Sequence, residues 1–119
     1  MRVLSSIAAA AIVGGSFFSG APAHAKPFIY TNVYSYGGDF KTCLKRAKQV
    51  LVENGFSDFE ENISAESKSG VTSGYRSQDS YLTAEIGCDQ KLGVTTLGVA
   101  GLDNDATYEM YQKLGDATW

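Results

Sequence analysis

Histidine is nearly absent: the 119 residues include one, His24, and it lies in an N-terminal stretch that export would remove. Without it neither a Ser-His-Asp nor a Cys-His constellation can be built, nor a zinc site that uses imidazole. Cysteine is scarce as well, limited to Cys43 and Cys88. Two thiolates do not complete a structural zinc site, and a Cys-x-x-Cys redox pair is missing. Basic charge is in deficit, which argues against binding a phosphate backbone. The apolar run Val3 to Phe18 is broken by Ser and Gly and falls short of the roughly 20 residues of a membrane-spanning helix.

That run has a different reading. MRVLSSIAAAAIVGGSFFSGAPAHA begins with positive Arg2, continues apolar and ends in the small-residue pattern Ala23-His24-Ala25, the layout of a secretory signal peptide. Cleavage is expected after Ala25, with no cysteine following for lipid attachment and no membrane anchor retained. The short, Ala-rich style suggests bacterial export, to the periplasm or the medium. The expected organisation is therefore a signal peptide at 1–25 and a single domain at 26–119. Losing Arg2 leaves nine Lys and Arg against 13 Asp and Glu, a net charge of −4. A domain of this size buries only about 60–65% of its unfolded surface, so a covalent staple would matter.

The clearest periodicity runs through DFKTCLKRAKQVLVENGF. Phe40, Cys43, Leu44, Ala47, Val50 and Leu51 recur at three- and four-residue steps, predicting a helix over 40–54 with one buried stripe. Lys41, Lys45 and Lys48 fall opposite, as an ordinary solvated face. Asp39 is the expected N-cap, and Asn54-Gly55 the stop.

Strand signals surround the helix. FIYTNVYSY, before Gly37-Gly38, is rich in aromatic and β-branched residues. Alternation puts Ile29, Thr31 and Val33 on one face and Tyr30, Asn32 and Tyr34 on the other; if the aliphatic set meets the helix, the tyrosines line the opposite face. SDFEENISAESKSG is polar and acidic, expected as a loop with a short strand around Ile63. It lacks the ligand spacing of an EF-hand, and its Asn62-Ile63-Ser64 sequon is not expected to be used in a bacterial setting. GVTSGYRSQDSYLTAEIGCD predicts a hairpin of strands near 70–76 and 80–88, with Leu82, Ala84, Ile86 and Cys88 inward and Tyr81, Thr83, Glu85 and Gly87 outward.

Cys43 and Cys88 thus both point at the core. An oxidising destination and an even count favour a disulfide between them; two buried thiols are the alternative. A plain strand, helix, strand, strand order would leave the two at opposite ends. A true disulfide therefore calls for an extra strand near 62–67, reversing the later directions. Gly93 to Leu102 predicts a central strand. Asp103-Asn104-Asp105 caps a second helix with Ala106, Met110 and Leu114 buried and Gly115 as its stop. The carboxylates Asp103, Asp105 and Glu109 suit that helix N-terminus better than a metal. Trp119 is expected to pack on the core or to stay free for contact.

CLKRAKQVLVENGF, YLTAEIGC and VAGLD together resemble small exported bacterial proteins of uncharacterised function, across most of residues 26–119. The resemblance implies an α+β fold and supplies no activity, cofactor or catalytic residue. The expected architecture is α+β: a mainly antiparallel sheet of four to five strands and two helices, in β-α-β-β-β-α order.

Three classes of function remain. A binding or interaction protein, such as an envelope adaptor or an inhibitor of a secreted enzyme, is expected first. Its candidate face is Tyr30, Tyr34, Tyr81, Thr83 and Glu85, because tyrosines favour contact surfaces; it would take a protein partner or a second copy. A small-ligand or cation binder is the alternative. An enzyme ranks last, since it would need Glu85 paired with a carboxylate of the acidic stretch, or Tyr and Lys, and no spacing selects such a pair. Neither a metal, a cofactor nor nucleic acid is expected.

Overall fold

The computed structural model describes residues 26–119; the expected signal peptide at 1–25 lies outside the described residues. Elements follow in the order β1 (Phe28–Ser35), α1 (Phe40–Glu53), β2 (Ser57–Ser64), β3 (Ser69–Arg76), β4 (Leu82–Asp89), β5 (Val94–Gly101) and α2 (Asn104–Asp116). The strands form one antiparallel sheet ordered β1-β5-β4-β3-β2. The α+β expectation therefore holds, with five strands. Three hairpins from β2 to β5 need only short turns, and β1 closes on β5 at the far edge.

Helix α1 forms as its sequence dictates. Asp39 accepts the Thr42 N–H at 3.0 Å, satisfying a first-turn donor. At the other end Gly55, at φ +86°, takes the left-handed turn, and the Phe56 N–H donates back to the Leu51 carbonyl at 3.0 Å. The predicted stripe, Phe40, Cys43, Leu44, Ala47, Val50 and Leu51, is buried throughout. It lies on β3 and β4, while α2 lies on β5 and β1 of the same sheet face. Gly70 of β3 makes room for α1, since a Cβ there would meet Leu44 Cδ1 at 2.6 Å.

Cys43 and Cys88 are joined, with their Cα atoms 6.2 Å apart. The extra strand that such a bond requires is β2, and it is longer than expected: the whole acidic stretch 57–64 is strand. It has no apolar face to announce it because it is an edge strand, exposed along nearly its whole length apart from half-buried Phe59. A bulge interrupts its pairing between Ser57 and Glu60, with Asp58 at φ +53°.

Two other expectations are corrected. Gly115 does not stop α2: it does not take the left-handed conformation that Gly55 takes, and the helix runs on to Asp116, with the bare glycine leaving room for the Tyr34 hydroxyl, 2.9 Å from where a Cβ would stand. The buried residues of α2 are Thr107, Met110 and Leu114, with Ala106 only half-buried. Thr107 owes its place to a hydrogen bond from its hydroxyl to the Asp103 carbonyl. Trp119 packs back on the core, edge-on to Tyr34 at 6.0 Å.

Candidate functional site

The candidate face assembled from the sequence divides between the two sides of the sheet. In the β1–β5 register Tyr30 stands opposite Val99 and Tyr34 opposite Thr95, both partners being buried beneath the helices. Tyr30 and Tyr34 are therefore helix-facing, and Ile29, Thr31 and Val33 take the open side. The aromatic rings span the distance from an edge strand to α2 better than aliphatic side chains do: Tyr30 meets the Tyr108 ring at 5.1 Å and Tyr111 at 5.6 Å. Its hydroxyl donates to Asn104 Oδ1. Burial, with the neighbouring Tyr111 phenol, raises the pKa of Tyr34 above the usual tyrosine range.

Tyr81, Thr83 and Glu85 stay together on the other side. Tyr81 is 60% exposed and stacks on Tyr75 at 6.2 Å, beside Thr83, the cross-strand partner of Tyr75. Neither helix covers this face. Reading across the sheet, one row is Glu60, Ser73, Glu85, Gly98 and Thr31, and the next is Asn62, Val71, Gly87, Thr96 and Val33. Gly87, without a side chain, lowers the floor between Val71 and Thr96. A hollow of about 650 Å³ results, lined among others by Glu60, Ser73, Glu85, Asp89 and Thr96.

The charge on this face is of one sign. Glu60, Glu85 and Asp89 belong to it, and the registers put neither Lys nor Arg at an outward strand position. Strand spacing sets Glu60 and Glu85, two strands apart, at about 10 Å. Asp89 also holds the following turn by accepting the Leu92 N–H at 2.9 Å. On the helix side Lys41, Lys45, Arg46 and Lys48 are exposed on α1, while Lys68 and Lys91 are exposed in the turns that flank the Asp89 end of the hollow. Of these, Lys48 lies 3.8 Å from Glu61 and over the Phe59 ring.

Sequence reasoning missed Ser73, Asp89 and Thr96, and had Glu60 only as one carboxylate of the acidic stretch. The outward alternation of Ser73 and Thr96 in TSGYR and TTLGVAG was a usable signal; with a strand expected only around Ile63, Glu60 had no assigned face. Asp103 acts as the α2 N-cap, accepting the Ala106 N–H at 2.9 Å. Among the described residues no group of three or more His, Cys, Asp or Glu converges as a metal site, and no helix is long and apolar enough to cross a membrane. Comparison with family models, curated proteins and solved structures finds no match to this chain.

Proposed function

We propose that this chain is a small exported binding protein without catalytic activity, and that it holds a partner protein bearing Lys or Arg side chains on the open face of its sheet. The observation that carries the reading is the sign of that face: among the described residues its outward strand positions hold the carboxylates of Glu60, Glu85 and Asp89 and neither Lys nor Arg, on a five-stranded floor. Such a surface steers and orients a basic partner while repelling acidic ones. The Tyr75–Tyr81 pair at one end offers flat contact area at low entropic cost. An envelope adaptor and an inhibitor of a secreted enzyme both fit this description.

A second reading is a small cationic ligand in the hollow itself. It is favoured by the two carboxylates of Glu60 and Glu85 facing one another across Ser73. Titration of the isotope-labelled protein with a lysine-rich peptide and, separately, with spermidine separates the two. Amide shifts at Ser73, Glu85 and Thr96 with the peptide alone support the protein partner. Shifts of similar size with spermidine move the reading to a small ligand, and shifts confined to the helix side defeat both.

A further inference from the structure

The two edges of the sheet are not alike. β2 is blunted by a bulge, by Asp58 in a left-handed conformation and by Glu60 and Glu61, the devices that keep an edge strand from pairing further. β1 has none of them. Its eight residues, FIYTNVYS, carry no charge and no proline, and they pair with β5 in an unbroken register.

The backbone of β1 is also polarised. The Tyr36 N–H donates to the Gly93 carbonyl at 2.8 Å, so in the antiparallel alternation the N–H and C=O groups of Tyr34, Asn32, Tyr30 and Phe28 turn towards β5. Those of Ile29, Thr31, Val33 and Ser35 turn outwards. The Val33 N–H falls back on its neighbour, donating to Asn32 Oδ1 at 2.8 Å. Ile29 and Val33 are 64% and 61% exposed, and Ile29, Thr31 and Val33 all lie on the open face.

We infer that β1 pairs antiparallel with β1 of a second copy about a two-fold axis at Thr31, joining the two sheets into one. Pairing at that register sets Thr31 opposite Thr31 of the partner subunit and Ile29 opposite Val33 of the partner subunit. Every outward N–H and C=O from Ile29 to Val33 then meets its counterpart, and the two exposed aliphatics become cross-strand neighbours. Self-pairing suits this edge better than a foreign strand because, about Thr31, the outward set Ile29, Thr31 and Val33 is its own complement in backbone and side chain, along a segment with no charge to repel its copy. Asn32 releases the Val33 amide as the partner arrives. The axis stands perpendicular to the sheet, so both open faces remain on one side and both pairs of helices on the other.

The test is sedimentation velocity of the full chain, expressed for export, across a range of concentrations. Two variants accompany it. Thr31→Pro removes an N–H that β5 does not use, and Val33→Lys places a charge beside the axis, as edge strands do to resist pairing. The wild type is expected to sediment as a dimer and both variants as monomers, with melting temperatures that match the wild type's at dilutions where it too is monomeric. A wild type that stays monomeric at its highest soluble concentration, or a dimer that survives Val33→Lys, overturns the inference. If Thr31→Pro alone lowers the melting temperature, Val33→Lys decides. The pairing edge lies two strands from Glu85 and further from Glu60, so Glu60→Gln with Glu85→Gln leaves the dimer intact whether or not the proposed function stands.

Discussion

Cys43, on the first turn of α1, is bonded to Cys88, one residue from the end of β4. The bond fastens the helix to the centre of the sheet, across a sequence separation of 45 residues that contains β2 and β3. On the chain-entropy account a closed loop of that length stabilises by about 4 kcal/mol. Cys43→Ala with Cys88→Ala is therefore expected to lower the unfolding free energy by about that amount in a denaturant titration. A loss under about 1 kcal/mol would mean that the reduced, unfolded chain already keeps residual structure across the loop.

The core contains one hydroxyl with no hydrogen-bond partner among the described residues, Thr72 Oγ1, on a fully buried side chain in β3. An unsatisfied buried hydroxyl costs about 1–3 kcal/mol. Thr72→Val keeps the shape and is expected to raise stability by about 1 kcal/mol. Equilibrium unfolding measures it, and a destabilised variant would point to a bound water at that hydroxyl.

Tyr34 ties high-pH stability to the β1–α2 contact. Its folded-state pKa lies above the usual tyrosine range, because burial and the Tyr111 phenol disfavour the phenolate. A raised folded pKa means the contribution is complete below the unfolded value and is lost as pH rises through the folded one. The melting temperature is thus expected to fall above about pH 10, and Tyr34→Phe to flatten that fall. An equally steep decline in Tyr34→Phe would assign the effect to other tyrosines.

How far the sequence could be read depended on whether each signal was local. The buried stripe of α1 is set by side chains three and four apart, and all six predicted positions are buried. The disulfide followed from two inward cysteines, and it required the strand that β2 supplies. A strand that is apolar on both faces is ambiguous by symmetry. In β1 the choice between Ile29-Thr31-Val33 and Tyr30-Asn32-Tyr34 was made by α2, over 70 residues away, whose Tyr108 and Tyr111 meet Tyr30. β2 was legible only towards its end, around Ile63, for the converse reason: the first half of an edge strand that buries little besides Phe59 looks like loop. The open acidic face depends on both decisions, and of its residues the alternation in β4 identified Thr83 and Glu85.

The most direct measurement concerns that face. Wild-type protein and a Glu60→Lys, Glu85→Lys variant would each be used for affinity capture from an envelope extract, and the captured protein's affinity measured against salt. The account predicts a basic partner, bound more weakly as salt rises, and lost by about tenfold or more on reversing the two charges, at an unchanged melting temperature. A partner held equally well by the reversed face would contradict the account and place the contact on the helices instead.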